Sequence, residues 1–452
     1  MKKEVCIIGL GPAGFGALNV LAKSSLASDT ICVEVGGSLT ERKCQLSRGK
    51  SCSNEKPCEL ISGVGGRSYT TGAKLSGYPA GGGLAQIIGS AKRTKAAIDE
   101  TLSTLSHLLP IEEEKKVLSP ETSLCFKKMG FEYRHYPVYT FKQSDLGLAY
   151  SKILSDASLA GVDILLKTKV IDIIKSGENF KLSLLQKSNL IEVEAKYVIL
   201  CVGSEGQELV ECLYSKFDLP TKKYHLDAGV RVEFPSELYH DIDKHHGDLK
   251  LLFKNARTFC ICKEGKITPY RYHKIYALEG SLQKEQKTGF TNLAITIRKS
   301  PSGKNLSLFN EILDKMYKES GGYPVHQPLT QYLHKTEPER DNHLKLSSTL
   351  NIWRYGKIDN CFPQIVSDEL KDAVQFFVTK LLPNEQWNHV NVFAPELDFR
   401  LIFPLQQDFS VTPKLYMAGE CTGRFRGILQ AFCSGEISAN SILTDHNGGY
   451  QC

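Results

Sequence analysis

The sequence predicts an α/β fold: a parallel sheet that carries a β-meander, with a mixed α+β domain inserted before its last strand. Three observations predict it. The apolar run Val5-Cys6-Ile7-Ile8 enters the glycine motif Gly9-Leu10-Gly11-Pro12-Ala13-Gly14. A central run, Tyr197 to Val202, ends at Gly203-Ser204, and a late run, Lys414 to Ala418, ends at Gly419-Glu420. Unbroken apolar runs that stop at glycine turns are the signature of strands buried on both faces.

The first run should be a strand and the residues after Gly11 a helix, with Leu18, Val20 and Leu21 on its apolar side. A second strand, Thr30 to Val33, ends in Glu34. Strand, G-x-G-x-x-G, helix, strand and acidic residue in this order make a Rossmann-type dinucleotide unit. Gly9 suits the tight turn, Gly11 lets the backbone approach a pyrophosphate, and Gly14 lets helix and strand pack closely. Pro12 and Ala13 open the helix, whose free N–H groups favour phosphate. Glu34 is placed to accept hydrogen bonds from a ribose.

Residues 36–83 lack apolar period and are rich in Gly, Ser and Lys, which suggests a loop that approaches a ligand closely. Residues 84–108 read as helical. So does Asp145 to Gly161, and a strand follows at Val162 to Leu166. Lys169 to Ile174, Phe180 to Leu184 and Ile191 to Val193 alternate as an antiparallel meander. The expected organisation is a nucleotide domain over 1–225, with covering loop and helices at 36–140. An inserted substrate domain over 226–395 and the end of the nucleotide domain over 396–452 complete it. The closing helix should run from about Gly427 and Ile428 to Leu443.

Composition bounds the function classes. The chain has 452 residues, 41% apolar and 23% charged, with net charge +6. That surplus is too small to suggest nucleic acid, and no apolar run is long enough to span a bilayer. The basic cluster Lys92-Arg93-Thr94-Lys95 reads as a solvated helix face. Fourteen cysteines without a convincing leader suggest reduced thiols, and hence the cytoplasm. Cys6, Cys32 and Cys201 should be core residues. Cys44, Cys52 and Cys58 form one group and Cys260-Ile261-Cys262 another; neither has zinc-finger spacing, and no metal is expected. Asp241, Asp243 and His245-His246 read as a solvated loop.

Taken together, the three glycine turns resemble the glutathione-reductase-like FAD superfamily. That resemblance implies FAD lying across the carboxyl ends of the parallel strands. It would contact Gly9, Gly11, Gly14, Glu34, Val170, Gly203, Gly419 and Glu420. A narrower resemblance joins Asp227 to Glu233, Arg257 to Cys262, Gly423 to Ala431, Gly65-Gly66 with Gly72 to Leu75, and Ala394-Pro395-Glu396. These segments are similar to the family of FAD-dependent dehydrogenases of unassigned substrate, also described as NAD(P)/FAD-dependent oxidoreductases. Arg67-Ser68-Tyr69 stands where that family has small residues, and Ala73 where it has an acidic one.

The implied activity is hydride transfer between flavin and a small organic substrate. Arg67 and Lys74 are candidates for the flavin's pyrimidine edge, where a cation stabilises the reduced anion. Arg257 and Cys260 are candidates from the inserted domain, and Arg424 and Arg426 for a substrate carboxylate. No second G-x-G-x-x-G exists, so any NAD(P)H would enter transiently. The C-x-x-x-x-C of disulfide reductases and the W-x-W-x-I-P of halogenases are absent. A monooxygenase, a redox-neutral flavoenzyme and a flavin-binding regulatory protein remain alternatives.

Overall fold

The computed structural model describes residues 1–448 except 47–49, 51, 53–56, 115–119, 218, 220–221, 240–247, 283 and 335–346. Asp241, Asp243 and His245-His246 therefore lie outside the described residues.

The first sheet has eight strands. Along its main path stand Ser410–Thr412, Leu415–Met417, Asn189–Leu200, Lys2–Ile8, Thr30–Val33 and Asp163–Leu165. Thr168–Ser176 and Asn179–Gln186 form the meander beside this path. Lys2–Ile8 runs parallel to its neighbours on both sides, with Val5 opposite Tyr197 and Thr30. The apolar runs are buried as expected, Val5, Cys6 and Ile7 fully. The sequence suggested two strands in 191–202, but the structure has one, Asn189–Leu200. Its first half pairs antiparallel with the meander, and its second half pairs parallel with Lys2–Ile8 and Leu415–Met417.

The first helix, Pro12–Leu21, packs on the last, Ile428–His446, at backbone distance. A Cβ on Gly16 would lie 2.1 Å from the Phe432 carbonyl oxygen, and one on Gly435 would lie 1.9 Å from that of Ala13. The stretch read as one helix over 84–108 is two, Gly83–Ile88 and Ala91–Leu108. Gly89 ends the first in the left-handed region, and the Ser90 side chain accepts from Arg93 N to begin the second. Lys92, Arg93 and Lys95 are exposed on the second helix.

The second sheet runs Arg354–Tyr355, Val325–Pro328, Asn391–Ile402, Lys223–Pro235, Phe290–Ser302, Ala256–Cys262, Lys250–Phe253 and Glu132–Arg134. Its central pairs are antiparallel. Along Lys223–Pro235 the alternate residues Leu226, Ala228, Val230, Val232 and Phe234 are buried in the core with Ile295, Ile297, Leu397 and Phe399. Helices Asn305–Ser320 and Gln364–Leu381 contribute to the same core; the Phe309 ring stacks on Phe399 with centroids 4.0 Å apart. The other residues of the strand, His225, Asp227, Arg231 and Glu233, are polar and buried on the opposite face. That polar face borders the site.

Candidate functional site

One cavity of about 1510 Å³ is lined by residues of both sheets and of the 57–83 segment. It exceeds the roughly 300–1,000 Å³ of a drug-sized pocket, so a long cofactor and a substrate have room together. Of the residues expected to hold the cofactor, Gly9, Gly11, Pro12, Ala13, Glu34 and Val170 line it. So do Gly203, Gly419, Glu420, Gly427 and Ile428. Gly14 does not: a Cβ there would meet the Gly9 carbonyl oxygen at 2.0 Å, whereas a Cβ on Gly11 would meet nothing within 4 Å. The turn is thus closed on its packing side and open on its cavity side.

Two helices begin at this cavity, at Gly11 and at Gly427. Neither has a side-chain cap, and neither carries an acidic residue in its first turn. Their N–H groups and positive dipole ends are therefore left for an anion. Glu34 has more structural work than the sequence suggests. Its Oε2 accepts from Leu10 N at 2.7 Å, and its Oε1 from Gly36 N and Gly63 N at 2.9 Å each. Three of roughly four acceptor positions are filled by backbone, which leaves one for a ribose hydroxyl. Arg42, which sequence reasoning missed, donates from its guanidinium to the carbonyls of Leu60, Val64 and Gly66 at 2.8 Å each and so holds the glycine loop.

Arg67 and Lys74 both line the cavity. Arg67 donates to Ser204 Oγ at 2.8 Å, stands 4.4 Å over the Tyr270 ring centroid and faces Glu279 at 3.6 Å. Burial raises the Glu279 carboxyl above its ordinary range. Lys74 pairs with Asp248 at 3.0 Å and donates to the Ile261 carbonyl at 3.1 Å. Burial alone would depress its ammonium, but Asp248 and the neighbouring thiols raise it. Asp248 also accepts from the Tyr136 hydroxyl at 3.0 Å and from Ile261 N at 3.1 Å. Asp248, Tyr136 and Glu279 carried no sequence signal, since each comes from a segment remote from its partner.

On a regular strand Cys260 and Cys262, two residues apart, would share a face. The strand is instead irregular between Phe259 and Cys262, and Cys260 has φ +48°. The two sulfurs still approach to 3.8 Å. Cys260 is the more acidic thiol, held below its ordinary range by its hydrogen bond with Cys262 and by Lys74 and Arg231 nearby. Cys421, by contrast, is pushed up to about 12 by burial.

Arg257 is buried and paired with Asp227. Arg298 holds both oxygens of Asp227 at 3.0 Å. Opposite Asp227 in register stands Asp398, which is held by Arg400 at 2.7 Å and Arg426 at 2.9 Å. Both carboxyls lie below the ordinary range: burial opposes this, but the guanidiniums override it. His225 reaches the two aspartates at 3.3 and 3.5 Å. These three residues could ligate a cation by spacing, but four guanidiniums already occupy the carboxylates. Arg426 is thus engaged by Asp398, and Arg424 donates to the Phe403 carbonyl at 3.1 Å. The signal for this cluster is the alternation His225-x-Asp227…Arg231-x-Glu233 within an otherwise apolar strand.

No family model and no curated protein matches the chain. Solved structures with a similar chain course include a geranylgeranyl bacteriochlorophyll reductase-like protein from Thermoplasma acidophilum. The match has a TM-score of 0.41 and 14% identity, over 99% of this chain and 80% of that one. A flavoprotein/dehydrogenase from Cytophaga hutchinsonii matches at 0.40 and 11% identity, over 99% and 80%. The p-nitrophenol 4-monooxygenase of Pseudomonas putida matches at 0.39 and 11%, over 99% and 81%. Scores and identities this low bring no cofactor or substrate to this chain.

Proposed function

We propose that the cavity binds FAD and that the protein is an FAD-dependent oxidoreductase, of the dehydrogenase or reductase type, acting on a small organic substrate. One observation carries this reading. Two helix N-termini, uncapped by side chains and free of acidic first turns, line a single cavity beside a glycine turn that is open only on the cavity side. That combination suits a pyrophosphate, which would sit on the backbone at Gly11 to Ala13 with the second dipole at Gly427 and Ile428. Glu34 would offer its remaining acceptor to the ribose, and Val170, Gly203, Gly419 and Glu420 would line the rest of the cofactor's path. The family of FAD-dependent dehydrogenases named from the sequence motifs agrees with this reading.

When bound, the flavin supplies the hydride chemistry; the protein supplies position, charge and exclusion of water. Lys74, kept charged by Asp248, and Arg67, held by Ser204 and Glu279, are the fixed cations of the wall. Cys260 adds a thiol held below its ordinary range, a group able to hold or release a proton. Arg257 is anchored by Asp227 and acts on the substrate side. The expected setting is the cytoplasm, as a nucleotide domain with an inserted substrate domain over 226–395.

The test is direct. Purified protein should be yellow with stoichiometric FAD, and a metabolite screen under anaerobic conditions should find a compound that bleaches it. Gly11→Val should abolish FAD uptake while leaving the circular dichroism spectrum unchanged. Full FAD occupancy in that variant would defeat the pyrophosphate argument.

A further inference from the structure

The polar face of the second sheet carries more positive charge than its own carboxylates answer. Pairing sets the geometry. Leu252 stands opposite Arg257, Ala256 opposite Ile297 and Asp227 opposite Arg298. Side chains two residues apart share a face, so Lys250, Arg257, Arg298 and Asp227 all belong to the face that lines the cavity. The apolar alternates Leu251, Ile297 and Ala228 lie in the core.

Asp227 is the only carboxylate paired with Arg257 or Arg298 among the described residues, and it is shared by both. Arg257 is 7% exposed, yet its Nε has no hydrogen-bond partner among the described residues. Lys250 is half-buried in the same wall and has neither a salt bridge nor a hydrogen bond among them. Its ammonium is pushed down to about 8, first by burial and then by Arg257. Asp248 pulls it the other way, but by less than burial and Arg257. Asp248, two residues away, is engaged by Lys74 and Tyr136.

Three cations thus share one cavity wall with one carboxylate ion-paired among them, and the Lys250 ammonium is left over. Arg257 is buried, Lys250 half-buried and Arg298 exposed, and burying the first two with a single shared carboxylate is costly. We propose that Lys250, Arg257 and Arg298 form an anion subsite that holds a carboxylate or phosphate group of the substrate at the sheet end of the cavity. Asp227 is its positioning residue: it fixes the two guanidiniums and leaves Lys250 to the ligand. The inference rests on the flavin reading only in calling the bound anion part of a substrate.

The experiment uses the full chain as purified with FAD, with inorganic phosphate and acetate as probes in separate calorimetric titrations. Whichever probe binds names the chemistry. Lys250→Met and Arg298→Met should each weaken that binding roughly ten-fold or more with FAD occupancy unchanged. A measurement on the unaltered protein needs no variant: the bound probe should protect Lys250 from acetylation by acetic anhydride, read by peptide mass spectrometry, while exposed lysines stay reactive. If neither anion binds, or if binding and Lys250 labelling ignore both the probe and the substitutions, the subsite is overturned and the flavin reading stands. If FAD is refused but Lys250-dependent anion binding persists, the subsite stands and the flavin reading falls.

Discussion

The two sheets build opposite kinds of wall around one cavity. The first contributes mostly backbone: glycine turns, helix starts and a carboxylate, Glu34, whose oxygens are largely given to main-chain N–H groups. The second contributes side chains, with ion pairs and hydrogen bonds crossing between strands far apart in sequence. Behind the lining, Arg231 on one strand meets Glu396 on the next at 2.9 Å and Asn292 on the other side at 2.7 Å. A backbone wall suits a ligand recognised by its phosphates, and a side-chain wall suits one recognised by its particular charges. Under the proposed function the contrast separates cofactor holding from substrate choice, and it predicts that the two walls fail differently under mutation.

The largest effect should come from the side-chain wall. Arg231 and Glu396 are both almost fully buried, so removing one partner leaves an uncompensated charge. Arg231→Met should cost about 3–5 kcal/mol in denaturant unfolding. The double variant Arg231→Met with Glu396→Gln should recover part of that loss, because no charge is then stranded. If the single and double variants lose stability equally, the pair is not what holds this wall.

The backbone wall should respond to volume instead. Gly435→Ala places a methyl group against the Ala13 carbonyl, where the Cβ would need to sit at 1.9 Å. Overpacking of this kind costs about 1–3 kcal/mol. It should also loosen FAD, because the first helix would be pushed from the last, and both begin at the cavity. A variant of unchanged melting temperature and FAD affinity would show that the helices give way freely.

The same contrast explains what could be read in the sequence. The first wall was legible because its information is local. The run Val5 to Ile8 with Gly9, Gly11 and Gly14 states strand, turn and helix within a dozen residues, and all but Gly14 of the cofactor set lines the cavity. The second wall was legible only in part. Arg67, Lys74, Arg257 and Cys260 line the cavity, but their partners Glu279, Asp248, Asp227 and Arg231 are set by strand register and loop packing. Register is a long-range property that no spacing in a single chain reveals. The break at Gly89-Ser90 is a different kind of miss: its glycine cap and serine N-cap were present in the sequence, and the apolar period across them hid the boundary.

The smallest effect concerns acid–base behaviour, and here the walls should differ in sign. In the second, Asp227 and Asp398 are held below their ordinary range by guanidiniums. Their contribution is present above the unfolded carboxyl range near pH 4 and is lost as the pH falls below it. Behind the first wall, Glu436 of the last helix accepts from Thr101 at 2.5 Å without a salt bridge among the described residues, and burial, outweighing Thr101 and the more distant Lys23, pushes its carboxyl up to about 7 from 4.5. Between those two values the unfolded chain releases this proton while the folded chain keeps it. Stability from this group is therefore full below about 4.5 and is lost as the pH rises through about 7. Glu436→Gln should flatten that part of the stability–pH curve and leave the acid limb, set by Asp227 and Asp398, where it was. Urea midpoints measured across the range would read both limbs in one series. A variant that keeps the wild-type slope between the two values would place the titration on another group and remove the difference in sign between the walls.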